Sequence, residues 1–307
     1  MGRIGRVAGF VSDDARLAYL EAYDSTLALA PVRLDTIDIE TAFGTTHVAS
    51  AGQPDAPPLV VLHGKNCSST MWLDLLPTLI VAHRAHLVDC SGDLGKSVAT
   101  TMMLRPADVA RWLDDVLDGL GIERPAFVGF SNGAFHSATY ATERPERVER
   151  LALLAPAGVI SRLPLSYWRS LFATMLGDRD AKWERFWGRH YVGTEPSPLR
   201  QRFDEQFLLG NKHMRFAVRD RLPKVLRPKR LARLTMPTLV VFAEHDICHD
   251  GPATAEKARR LLPTARVELL ADSGHFVIFD TLPAVAALLA DFLGADMTAP
   301  RGGRSVC

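Results

Sequence analysis

The stretch Ala126-Phe127-Val128-Gly129-Phe130-Ser131-Asn132-Gly133 joins a short apolar run to a serine with a glycine two residues to either side. A helical pattern, Asn132 to Thr142, follows at once. A short, wholly apolar run reads as a buried strand, which puts the serine at a sharp strand-to-helix turn. There, strained backbone exposes Oγ, and glycines at 129 and 133 let strand and helix approach without Cβ clashes. The helix amino terminus, with its free N–H groups, favours a developing anion. This context makes Ser131 a nucleophile in a G-x-S-x-G elbow rather than part of a plain glycine-rich turn.

Outward from the turn, Leu59 to Leu62 and Ala85 to Val88 are further apolar runs, ending at His63-Gly64 and Asp89. Leu151 to Leu154, Thr238 to Phe242 and Val267 to Leu270 continue the series. Helical patterns lie between and after them, over Met71 to Val81, Ala107 to Leu120, Ala253 to Leu262 and Ala284 to Phe292. The second of these carries Val109, Trp112, Leu113, Val116 and Leu120 on one stripe. Strand and helix alternate, so the fold class is α/β, a mostly parallel central sheet flanked by helices. Val32 to Glu40 and Thr46 to Ser50 suggest a hairpin leading into it. Before it, Asp13 to Ala30 reads as an amphipathic helix on the outside of the domain, with Leu17, Leu20, Leu27 and Leu29 among polar residues and Pro31 at its end. From Gly158 to about Leu234 the alternation breaks into a helical insertion after the fourth core strand, with no strand-like run. The expected units are an extension over 1–31, a core over 32–157 and 235–294, an insertion over 158–234 and a flexible tail over 295–307.

A serine hydroxyl needs a base to take its proton and a carboxylate to orient that base. In folds built around this turn the acid and then the histidine follow the serine in the chain, each on a loop after a strand. Asp246 follows Thr238 to Phe242, and His275 follows Val267 to Leu270, giving the order Ser131, Asp246, His275. Glu244 and Asp250 compete with Asp246 for the acid. Among the ten histidines, His136 would face away from Ser131. His245 and His249, beside Asp246, Cys248 and Asp250, hint at a metal cluster, but one loop rarely supplies the three or four convergent ligands zinc wants. No metal and no cofactor is expected.

The tetrahedral intermediate requires preset N–H donors, expected from Asn132, the residue after the nucleophile, and from Lys65, in the loop after the first apolar run. Lys65 either contributes only its N–H with the ammonium outward, or it or Asn66 binds a carboxylate or carbonyl of the substrate. Gly95-Lys96-Ser97 imitates the end of a phosphate loop, but position 90, where that motif needs glycine, is Cys90. It is read as a structural loop.

Composition narrows the classes further. The 307 residues are 47% hydrophobic and 23% charged with net charge +1, which is ordinary globular usage and offers no field to gather nucleic acid or anionic lipid. Four cysteines without paired spacing suggest neither a disulfide framework nor a zinc site. Together with the lack of a secretory or membrane-spanning apolar run, they set the expectation of a cytoplasmic protein without a membrane partner.

His63-Gly64, Asp89 with Gly92 and Ser97, the Gly129–Gly133 elbow, Asp246 and Gly274-His275 together resemble the α/β-hydrolase superfamily, from about Val32 to Leu293. Phe43 to Val48, Ala56 to Gly64, Ser68 to Trp72, and Gly92-Asp93 with Lys96-Ser97 are similar to bacterial carboxylesterases of the naproxen-cleaving type, as is the amino-terminal helix ending in Pro31-Val32-Arg33. The resemblance implies a Ser-His-acid esterase whose insertion is a cap. Dehalogenase and epoxide-hydrolase relatives carry aspartate where Ser131 stands, which disfavours those activities. Lys65, Asn66 and Asn132 depart from the pattern and bear on the substrate. The expected partner is a small hydrophobic ester or related acyl compound, contacted by Asn66, Trp72, Trp168 and Phe276, with Trp183 and Trp187 alongside. Self-association into a homodimer is left open. The alternatives are another serine-dependent reaction, such as lactone, thioester or carbon–carbon cleavage, acyl transfer or cyclisation, and a ligand-binding protein with a retired site.

Overall fold

The computed structural model describes residues 7–173, 185, 188–189, 196–215 and 223–294. In chain order these form β1 (Gly9–Phe10), α1 (Asp13–Leu27), β2 (Asp35–Thr41), β3 (Gly44–Ala51) and β4 (Pro58–Leu62). A 3-10 turn (Ser69–Trp72), α2 (Leu76–Leu79), β5 (Arg84–Val88), β6 (Val98–Ala99), α3 (Pro106–Leu120), β7 (Ala126–Phe130), α4 (Asn132–Glu143) and β8 (Leu151–Leu154) come next. Then follow α5 (Leu165–Ala173), α6 (Pro198–His213), β9 (Met214–Arg215), α7 (Pro228–Leu231) and β10 (Thr238–Ala243). The chain closes with α8 (Gly251–Leu261), β11 (Arg266–Leu270), α9 (Val277–Asp280) and α10 (Leu282–Leu293).

One sheet of nine strands organises these elements in the order β11-β10-β8-β7-β4-β5-β3-β2, with β6 on β3. Pairings from β11 through to β5 are parallel, and β3 joins β5, β2 and β6 antiparallel. β4, β7, β8 and β10 are almost wholly buried, as strands covered on both faces must be, which is why their sequences are continuous apolar runs rather than alternating ones. One face packs α3 and α4 through Trp112, Leu113, Phe135 and Tyr140. The other packs the 3-10 turn, α2 and α10 through Trp72, Leu76, Val285 and Leu289. Among the described residues no helix is long and apolar enough to cross a membrane.

Three expectations change. The Met71–Val81 helix is instead the 3-10 turn and the short α2. Pro77 enters the first turn of α2, where its missing N–H costs nothing, and would break a helix running through it. In α1 the buried face is Tyr19, Tyr23 and Thr26, whereas Leu17 and Leu29 are 57% and 44% exposed. The tyrosines can be buried because their hydroxyls are paired, Tyr23 with Ser69 Oγ at 3.0 Å and Tyr19 with Gln206 Nε2 at 3.0 Å. Gln206 lies on α6, so α1 packs against that helix of the insertion. Finally, the insertion does contain a strand, since β9 pairs antiparallel with β1. The tail over 295–307, with Trp183 and Trp187, lies outside the described residues.

Candidate active site

The elbow is built as its sequence demands. Ser131 has φ 51° and ψ −110°, a left-handed conformation that a non-glycine residue adopts only under constraint. The constraint is visible: Ser131 N donates to Leu154 O at 2.9 Å, while Ser131 O accepts from Phe135 N at 3.1 Å as α4 begins. A Cβ at position 129 would stand 2.6 Å from Ala134 N, so only glycine lets α4 lie this close to β7.

Ser131, Asp246 and His275 come from the carboxyl ends of β7, β10 and β11, where the loops of an α/β sheet form its binding crevice. His275 Nε2 lies 2.8 Å from Ser131 Oγ, and His275 Nδ1 lies 3.0 and 2.9 Å from the two Asp246 oxygens. An ionised carboxylate only accepts, so Nδ1 carries the proton and Nε2 accepts from the serine hydroxyl. Burial alone would raise the Asp246 pKa. Electrostatic interactions with the His275 and His249 imidazoles, the bond from His275 and the Cys248 N–H at 2.7 Å outweigh it and hold the carboxyl below its ordinary range. The competing acids have other tasks: Asp250 caps α8 by accepting from Ala253 N at 2.9 Å, and Glu244 accepts from Asp272 N at 3.1 Å. The loop carrying His275 is itself fixed, since Asp280 Oδ2 accepts from Gly274 N at 2.8 Å.

Lys65 and Asn66 sit in the loop after β4, and Gly64 lies beside the nucleophile, where a Cβ on it would stand 3.5 Å from Ser131 Cβ. His63 aims this loop. Cys90 N donates to His63 Nε2 at 2.8 Å, so Nδ1 bears the hydrogen and donates to Gly64 O at 2.8 Å. Cys67 N also donates to Gly64 O, at 3.2 Å. In a trans peptide the carbonyl and the following N–H point oppositely, so anchoring Gly64 O sets the direction of Lys65 N–H. Asn132 N belongs to the first turn of α4, whose N–H groups have no intrahelical acceptor. Its side-chain amide lies 3.1 Å from His136 Nε2, which places His136 along the helix behind the elbow.

The Lys65 ammonium lies 3.0 Å from Asp93 Oδ1, an oxygen that also accepts from Asn66 N at 2.9 Å. Asn66 takes φ 60° and its carbonyl accepts from Asn211 Nδ2 of α6 at 3.2 Å, so its backbone is tied into the loop. Trp72 is fully buried in the core beneath the site. Phe276 is also buried, its ring 5.0 Å from Phe130 and 5.7 Å from His275, so it packs against the imidazole. Trp168 is half-buried on α5, edge-on to Tyr167. The Gly95-Lys96-Ser97 stretch is a structural loop on Asp89, whose carboxylate accepts from Lys96 N and Ser69 N, each at 2.8 Å.

A cavity of about 660 Å³ opens on the Asp246 side of the site rather than over Ser131, with Tyr167, Glu244, His245 and His249 among its walls. Tyr167 was not singled out as a site residue in the sequence, and His249 and Cys248 were weighed there only as members of a metal cluster beside Asp246. His249 Nε2 lies 3.5 Å from Asp246 Oδ2. Burial holds this imidazole below the usual histidine range against the pull of Asp246, and burial pushes the Cys248 thiol up.

The family model for the α/β hydrolase fold matches residues 57–282. Carboxylesterase YbfK of Bacillus subtilis (strain 168) is 32% identical over 295 residues, covering 92% of this chain and 96% of that protein. The uncharacterized carboxylesterase nap of the same organism is 31% identical over 288 residues, with 92% and 94% covered. Among solved structures, the naproxen esterase (carboxylesterase NP) of Bacillus subtilis superposes with a TM-score of 0.83 at 29% identity, covering 93% of this chain and all (100%) of that one.

Proposed function

The chain belongs to the α/β-hydrolase fold family and is a carboxylic ester hydrolase within it; from that premise we propose that it cleaves small apolar carboxylic esters through Ser131, His275 and Asp246. The observation that carries the reading is the unbroken chain Ser131 Oγ, His275 Nε2, His275 Nδ1 and Asp246, with contacts of 2.8, 2.9 and 3.0 Å. Ser131 Oγ attacks the ester carbonyl while its proton passes to His275 Nε2, and Asp246 stabilises the imidazolium that forms. Lys65 N–H and Asn132 N–H stabilise the oxyanion. The imidazolium then protonates the departing alkoxide, leaving an acyl group on Ser131. Water, deprotonated by His275, attacks this acyl-enzyme and releases the acid and the free serine.

In this reading the insertion acts as a cap, with Tyr167 of α5 bordering the cavity the substrate enters. Among the described residues the Lys65 ammonium is engaged by Asp93, which favours an uncharged ester over a carboxylate-bearing one. Hydrolysis of p-nitrophenyl acetate through octanoate, by the protein and by its Ser131→Ala variant, tests the proposal. The expected result is turnover with a chain-length optimum that falls by about 10⁴-fold or more in the variant. Turnover retained by a folded Ser131→Ala protein would end the reading.

A further inference from the structure

Among the described residues Cys67, Cys90 and Cys248 are buried free thiols that the mechanism does not use, and Cys248 is the one placed against the His275 imidazole. Cys248 is 2% exposed, and its Sγ lies 3.8 Å from His275 Nε2, the nitrogen that also faces Ser131 Oγ at 2.8 Å. Asp246, Cys248 and His275 bring three ligating atoms within 4.8 Å of one another, all on buried residues. Geometry separates their roles. Asp246 occupies Nδ1 of the imidazole at 2.9 and 3.0 Å, and Nε2 faces both Ser131 Oγ and Cys248 Sγ. A carboxylate on the far nitrogen of a metal-binding imidazole fixes the tautomer and raises the basicity of the ligating nitrogen. A tetrahedral zinc ion, with its usual bond lengths to sulfur and nitrogen, holds the two ligands roughly 3.6 Å apart. The observed 3.8 Å between Sγ and Nε2 needs little adjustment to match.

We propose that Cys248 Sγ and His275 Nε2, with Ser131 Oγ as a third ligand, form an inhibitory site for a thiophilic divalent cation such as zinc. Binding releases the thiol proton to solvent and engages the lone pair of Nε2, with no change of oxidation state. Nε2 can then no longer accept the Ser131 proton, so hydrolysis stops while the cation stays. Thiolate and imidazole together select zinc-like ions over magnesium or calcium, which prefer oxygen ligands. The cavity lies against Asp246, the residue two before Cys248, and among the described residues Glu244, Asp246 and Asp250 line it with one guanidinium, that of Arg189. Such a balance raises the local concentration of cations.

The inhibitory consequence rests on the hydrolase reading, so the test has one arm that needs no turnover. Zinc titrated against p-nitrophenyl ester hydrolysis inhibits the wild-type protein reversibly, chelator restores the rate, and magnesium has no effect. In Cys248→Ala, measured against that variant's own uninhibited rate, the zinc inhibition constant rises by about tenfold or more. Cys248→Ser, which keeps the side chain's shape, carries the same expectation if the alanine variant fails to fold. Independently, cobalt(II) added to the wild-type protein and to Ser131→Ala gives a thiolate-to-metal absorption band that Cys248→Ala lacks. That band survives even if the protein hydrolyses no ester. Equal zinc inhibition of wild type and both Cys248 variants, or no thiolate band in the wild type, overturns the proposal.

Discussion

Gly133 sits so close to Leu62 that a Cβ on it would stand 2.2 Å from the Leu62 carbonyl oxygen and 2.5 Å from that of His63. The helix that begins after Ser131 is therefore pressed onto the strand that launches the Gly64-Lys65 loop, and this backbone contact helps to set the spacing of the two proposed oxyanion donors. Gly133→Ala meets backbone atoms that cannot rotate away, and overpacking of this kind costs about 3 kcal/mol. The expected outcome is a lowered denaturant midpoint together with an activity loss larger than the unfolded fraction explains. A variant as stable and as active as wild type would contradict this packing.

Asp246 is the only one of the three nearby carboxylates placed on His275, since Asp250 and Glu244 are bonded to Ala253 N and Asp272 N. Asp246→Asn keeps the shape but no longer requires a hydrogen on Nδ1, and kcat should fall about 10³–10⁴-fold with the far-ultraviolet circular dichroism unchanged. Glu244→Gln should leave kcat within about threefold of wild type. The opposite ranking of these two variants would reassign the acid.

His86, on β5, is 6% exposed with Nδ1 2.9 Å from Ser50 Oγ, and burial, aided by the Arg84 charge, pushes its pKa down to about 4. The unfolded chain takes up a proton at this residue near the ordinary histidine value, roughly 6.5, and the folded protein only near 4. Between those values the unfolded state binds more protons, so stability falls as the pH drops, by up to roughly 3 kcal/mol at the acid end. His86→Gln should flatten the melting temperature between pH 6.5 and 4.5. A remainder of slope stays because burial also holds His83 and His249 low. Identical slopes in both proteins would show that His86 does not carry the effect.

Gln206 of α6 is 1% exposed, and its amide donates to Tyr19 OH at 3.0 Å and Ser68 Oγ at 2.8 Å while accepting from Thr70 Oγ1 at 3.0 Å. One side chain thus joins the amino-terminal helix, the insertion and the segment after the Gly64-Lys65 loop. Gln206→Leu removes partners from several buried hydroxyls at once and should cost roughly 3 kcal/mol. Urea denaturation measures it. A loss below about 0.5 kcal/mol would mean that the hydroxyls pair among themselves.

These contacts explain which parts of the molecule could be read in the sequence. The strands ending at Leu62, Val88 and Leu154 announce themselves because strands buried on both faces are continuous apolar runs, and the elbow because its glycines answer a steric demand within a few residues. Asp246 and His275 were legible through their order and their places after strands. The buried face of α1 was not, because what licenses burial of Tyr19 and Tyr23 is Gln206 and Ser69, 187 and 46 residues away. The position of the Lys65 ammonium depends in the same way on Asp93, and the burial of Trp72 on the core that closes over it. Distant polar partners leave no periodic trace in a sequence.

The most direct test of the account is to label the protein with a fluorophosphonate, digest it and locate the adduct by mass spectrometry. The account predicts a single adduct on Ser131, formed in step with the loss of ester turnover and absent from Ser131→Ala. An adduct on another residue, or a fully labelled Ser131 in a protein that still hydrolyses esters at the original rate, would contradict it.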